Sequence, residues 1–243
     1  MSTSPLKKAG FAQGIYQTSS TQKEALGTRR VLKDGREFVY AQAGAADLAA
    51  GKLGVSAAIN AAHADEAILA AVAIGTKTLA LTVTAGTAIA ANALKDGALM
   101  INDNTGEGYS YTIESNSAIS ASGTIINITL AEGIKVALDT TSQFILAHNP
   151  WKGVVESTTT GTPVGIAVVA VTTLYYYWAQ TRGLANVLMG DTTGIGTCVT
   201  QDIATVAGGS AVMATSSILP AIGTSFGFAG VDTEYQPVIL KIT

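Results

Sequence analysis

Ser225 lies in Gly223-Thr-Ser225-Phe-Gly227, a G-x-S-x-G pattern of the kind that presents a hydrolase nucleophile. That chemistry needs the serine on a strand-to-helix turn, with an acid and then a histidine later in the chain. Phe226-Gly-Phe228-Ala-Gly230 does not read as a helix start, and both histidines, His63 and His148, precede Ser225. In a chain with 26 glycines such a pattern arises by chance, so the triad is rejected. His63, Asp65 and Glu66 are metal-ligand types, but positions i, i+2 and i+3 do not share a helix face, and no second histidine is near. Gly190–Gly196 (GDTTGIG) resembles a phosphate loop but lacks the following Gly-Lys-Ser/Thr and reads as a turn. Asp103-Asn-Thr-Gly-Glu-Gly108 has calcium-loop residue types without the alternating acids and closing glutamate; an incidental ion there stays open. Any two carboxylates can meet in space, and nothing in the pattern favours a pair. The reading is of a non-enzyme, with no catalytic residue, metal site or cofactor expected.

The elements that would position any site are short and β-rich. Thr28–Ala41 contains two strand-like pieces around Lys33-Asp-Gly-Arg36, a D-G hairpin signal that puts Phe38 and Tyr40 on one face. Ala45–Gly51 and Ser56–Ile74 are alanine-rich and helix-prone, although the second piece also fits loop and strand. From Thr76 to Ala147, turn signals recur every 8–12 residues between alternating apolar and polar runs, as in an antiparallel sandwich or barrel. His148–Gly153 reads as a linker, and Val154–Thr243 as a second, glycine-punctuated β-module. Its strands include Val164–Val171, Leu174–Ala179, Ala185–Met189, Ala211–Thr215 and Ser225–Gly230, with a polar break at Gln180-Thr-Arg182-Gly183. The fold class is therefore mainly β: an extended N-terminal arm (1–55), a β-module with a short, possibly helical lead-in (56–150) and a barrel or sandwich module (151–243).

Charge narrows the function. Charged residues are only 13% of the chain, against ~25% in an average soluble protein, a composition that suits burial against neighbours. The net charge of −3 argues against a general nucleic-acid binder. Residues 1–52 carry eight of the fourteen Lys/Arg against four acids, leaving six bases and thirteen acids beyond, so a basic arm precedes an acidic body. Arg29, Arg30, Lys33, Arg36, Phe38 and Tyr40 make that arm a candidate docking segment, with a solvated tail as the alternative. Tyr175, Tyr176, Tyr177 and Trp178 place large rings on both faces of one strand, which suits either an oligomer interface or packing within the domain. A single cysteine, Cys198, fits a reducing compartment. Neither a signal peptide nor an apolar run of ~18–20 residues is evident, so a cytoplasmically made protein without membrane partners is expected.

VGIAVVAVTTLYYYWAQTRGLANVLM (164–189), the return segment Phe226–Gly230, the closing VILKIT and the block Gly27–Leu53 together resemble the decoration (cement) proteins on the outside of tailed-bacteriophage capsids. The resemblance spans roughly half of the chain. It implies a structural virion protein on the outer capsid surface, with the major capsid protein as partner, a homotrimer at local three-fold positions, and a shell-stabilising role. The alternative, from another class, is a receptor- or glycan-binding head fibre or adhesin, marked by an exposed aromatic patch with polar partners.

Overall fold

Leu79, Leu81, Leu99, Ile101, Tyr111, Ile113, Ile126 and Ile128 are buried while Thr78, Ala80, Met100, Thr112 and Asn127 between them are exposed, so the period-2 pattern of the sequence becomes a one-sided sheet. The computed structural model describes residues 10–86, 88–158, 161–203, 206–214, 217, 219–227 and 229–242. Its strands, in chain order, are β1 (Arg29–Val31), β2 (Glu37–Gln42), β3 (Leu53–Val55), β4 (Glu66–Ala67), β5 (Thr78–Thr82), β6 (Ala98–Asp103), β7 (Ser110–Asn116), β8 (Ile125–Leu130), β9 (Gln143–Ala147), β10 (Val155–Glu156), β11 (Pro163–Ala167), β12 (Tyr176–Leu188), β13 (Cys198–Gln201), β14 (Ser210–Val212), β15 (Ala221–Ser225) and β16 (Tyr235–Lys241). The protein is mainly β, and its strand pairs are antiparallel.

The chain divides into two compact units: Ala58–Pro150, and the segments up to Ala57 and from Trp151 onward taken together. In the first of these, six strands run β4-β9-β6-β7-β8-β5. The sheet curls until its ends meet, where the Glu66 carboxylate accepts from the Thr84 backbone N–H at 3.1 Å, just past β5. A single cluster from Ile68 to Leu146 fills the interior. The alanine run that leads in is not an α-helix. It forms one 3-10 turn at Ala61–His63, capped by Asn60, whose side chain accepts from Ala62 N, and Ala64 then turns extended. Alanine propensity is a weak prior that tertiary context overrides, here the pairing of Glu66–Ala67 with β9.

The other unit is built around β12. Its first half pairs with β2 (Tyr176↔Gln42 to Arg182↔Glu37) and β11 (Ile166↔Gln180), and its second half with β16 (Arg182↔Lys241 to Leu188↔Tyr235). The sheet extends through β11 to β3 and β10, and through β16 to β15, β13 and β14. The polar break expected at Gln180–Gly183 is instead a β-bulge within one continuous 13-residue strand. The Gln180 amide, 1% exposed, donates to the carbonyls of Arg182 and Leu184 and so satisfies the backbone that the bulge frees. The strand expected at Ser225–Gly230 ends at Ser225, and Gly227 has a positive φ of 90°; Phe228, like Thr215 and residues 1–9, lies outside the described residues.

Candidate interaction face

The described part of the N-terminal region is not set apart from the body. The hairpin of β1 and β2 forms where the D-G turn placed it, with Gly35 at φ 83°, but β2 then pairs along β12 and becomes an interior strand. Alternation sends Val39, Ala41, Tyr177 and Ala179 into one core cluster, and Phe38, Tyr40 and Trp178 into another on the opposite face. Because both faces are covered, Phe38, Tyr40, Tyr177 and Trp178 are each 0% exposed. This corrects two expectations. Phe38 and Tyr40 hold the arm to its own body and cannot touch a docking partner. Tyr177 and Trp178 cannot form an oligomer contact, and Tyr175 and Tyr176 are half-buried.

Residues 10–28 cover the Phe38/Tyr40/Trp178 face with Phe11, Ile15 and Leu26, and Gln13 makes most of the side-chain hydrogen bonds to it. Its backbone carbonyl accepts from Trp178 Nε1 at 3.0 Å and from Arg30 Nη1 at 2.9 Å. Its side-chain oxygen accepts from the Tyr40 hydroxyl at 2.8 Å, and its amide donates to Tyr176 O at 3.0 Å. Burial pushes the Tyr40 phenol up from its ordinary value, so it remains a neutral donor. Arg30 lies over the rings of Phe11, 4.9 Å to the centroid, and Trp178, 5.7 Å. The two rings meet edge to face at 5.1 Å, and the guanidinium lies against both.

Arg29 and Val31 alternate with Arg30 on β1, so they face the side of Val39, opposite Phe11 and Trp178. Arg29 and Lys33 are exposed and have no ion-pair partner among the described residues. Arg36 is half-buried; its backbone N–H and its Nε donate to Asp34 at 3.1 and 2.8 Å, which hold that carboxyl below its ordinary value, while hydrogen bonds to Tyr16 and Asp34 raise the guanidinium's. Phe11, Tyr16 and Val31 are exposed by 42%, 61% and 65% on the same segment. Sequence reading missed Phe11 and Tyr16 because they lie in a stretch without periodicity, and placed Val31 in a strand without seeing that the strand is an edge. β1 pairs only with β2 among the described strands, so Arg29 and Val31 also stand on a sheet edge.

Elsewhere the sequence candidates resolve into structural roles. Ser225 Oγ accepts from Thr197 N at 3.0 Å and donates to the Gly194 carbonyl, pinning the loop before β13. The unit that holds Ser225 contains neither histidine. Asp65 accepts from Asn102 and Glu66 from Thr84, and the described residues contain no group of three or more His, Cys, Asp or Glu side chains that could hold a metal. The Asn104–Gly108 turn is tied down by Asp139, which accepts from Thr105 and Thr141; those hydrogen bonds bring its carboxyl down to about 2. No helix among the described residues is long and apolar enough to cross a membrane. No family model, no curated protein and no solved structure matches this chain.

Proposed function

We propose that this protein is a structural binding protein of a virion, a decoration protein that docks on the outside of a tailed-phage capsid through the basic and apolar segment of residues 10–36. The observation that carries the reading is the pre-ordered segment itself: exposed Arg29 and Val31 on the edge strand β1, exposed Lys33 in the turn after it, and exposed Phe11 and Tyr16 in a stretch that Gln13 anchors to Trp178. Ordering a flexible segment on binding costs free energy, and a segment already held has met that cost in folding. Cationic groups around apolar anchors suit an acidic protein surface, where charge steers encounter and buried rings slow release. A ligand that binds only the assembled shell shifts the balance between shell and free subunits toward the shell. The resemblance of 164–189 and 27–53 to decoration proteins supports the choice of partner.

The test is co-sedimentation with empty, expanded tailed-phage heads. Deleting residues 1–40 is a poor probe, because it removes most of β2 and exposes Trp178. Arg29→Glu with Lys33→Glu leaves the core intact. The intact protein is expected to bind saturably and raise the temperature at which heads disrupt, and the double variant to bind roughly tenfold or more weakly at low salt. An intact protein that stays in the supernatant, or a double variant that binds equally well, overturns the reading.

A further inference from the structure

On one flank of β12 an open hollow of about 430 Å³ is lined by Tyr16, Arg36, Gly51, Ala185, Asn186 and Tyr235, among others. Its floor is made of small residues. Gly51 has φ 77°, and a Cβ there would come within 2.4 Å of the Tyr235 ring, so glycine is what lets that ring lie against the floor. Tyr16 and Tyr235 are exposed by 61% and 46%, which leaves much of each ring open to solvent. The polar groups are planar and directional. Arg36 gives Nε to Asp34 and Nη1 to the Tyr16 hydroxyl at 3.3 Å, and its remaining N–H groups have no partner among the described residues. Asn186 is exposed, and its side chain likewise has no partner there. Among the described residues Arg36 is the only charged group that lines the hollow, and its charge is matched by Asp34.

We infer that this hollow is a binding site for a neutral pyranose sugar. A pyranose ring offers an apolar C–H face and a rim of hydroxyls. The C–H face packs on exposed tyrosine rings, and the hydroxyls take donors and acceptors from an arginine and an asparagine amide. The volume holds one or two sugar rings, within the ~300–1,000 Å³ of small-molecule sites. A charge-matched guanidinium supplies direction without a net field, which sets a neutral sugar above an acidic one. Tyr16 and Arg36 also belong to the proposed docking segment, but the isolated protein and free sugars are the whole assay, so a failure of capsid docking and a failure of sugar binding are read separately.

Saturation-transfer NMR on the full chain with the methyl glycosides of glucose, galactose, mannose and N-acetylglucosamine, and with methyl glucuronide for comparison, tests it. At least one neutral glycoside is expected to take up saturation at its ring C–H protons. Asn186→Ala should weaken that binding roughly three- to tenfold, the worth of one lost hydrogen bond, and Tyr16→Ala should abolish the ring signal. Both side chains are exposed, and a thermal melt of each variant establishes that it is folded. The inference is overturned if no neutral glycoside binds, if only the glucuronide binds, or if the folded variants bind unchanged.

Discussion

Trp178 Nε1 donates to the main-chain carbonyl of Gln13 at 3.0 Å, across 165 residues of chain. The bond is buried, and Gln13 also receives the Tyr40 hydroxyl, so one glutamine satisfies two aromatic donors that β-pairing drives into the interior. A non-local contact of this kind is where the N-terminal segment is weakest and most open to test.

Gln13→Ala removes the acceptor for the Tyr40 hydroxyl and the donor to the Tyr176 carbonyl while keeping the backbone bond to Trp178. The expected cost is about 1–3 kcal/mol, read as a lower denaturation midpoint with an unchanged slope. Proteolysis should cleave residues 10–28 of the variant first.

Tyr177→Phe should behave in the opposite way. The Tyr177 ring is fully buried, its hydroxyl has no hydrogen-bond partner among the described residues, and burial drives its ionisation far above the ordinary phenol range. Removing an orphaned hydroxyl while keeping the ring is expected to leave stability unchanged or raise it by about 1–2 kcal/mol. A thermal melt that fell by several degrees would reveal a partner for that oxygen.

His63 makes the unit from Ala58 to Pro150 sensitive to acid. The side chain is 6% exposed and its Nε2 has no partner among the described residues. Burial pulls its pKa below the ordinary 6.5, against a smaller opposing pull from Glu66. The folded state then binds fewer protons than the unfolded one, so this stabilising term is complete above pH 6.5 and is lost as pH falls below it. Melting temperature should decline from pH 7 to pH 5 in the intact protein, and His63→Leu should flatten that part of the profile.

Gly183 has φ 82° inside β12, and a Cβ there would lie 3.0 Å from Arg36 Cγ and 3.2 Å from its Cα. Gly183→Ala is expected to cost about 1–3 kcal/mol through left-handed backbone strain. It should also loosen the bulge, seen as faster amide exchange at Thr181 and Arg182.

What the sequence made legible was local. The D-G turn announced the hairpin, alternation in Thr78–Thr82 marked a half-buried strand, and the split of Tyr176 and Trp178 from Tyr177 followed from period 2. Spacing of turn signals was enough for the β class. The partners of those strands were not legible, because the pairing of Glu37–Gln42 with Tyr176–Arg182 depends on closing a loop of more than a hundred residues. For that reason Phe38 and Tyr40 read as an open docking surface when they are core. Gln180 and Thr181 read as a break because they are polar, yet they are buried and bonded within the bulge. The tyrosine-walled hollow was invisible for the same reason, since Tyr16, Gly51, Asn186 and Tyr235 come together only through the sheet.

The order in which this chain leaves a ribosome follows from its division. β2 emerges early, but its neighbour β12 begins about 130 residues later, after all of Ala58–Pro150 has been made. At the ~5–20 residues per second of synthesis, Phe38 and Tyr40 wait on the order of ten seconds before Trp178 appears to cover them. The middle unit is contiguous and can close during that interval. While they wait for β12, β1 and β2 are a natural client for a holding chaperone, and slowed translation between codons 43 and 175 should raise aggregation more than slowing after codon 189.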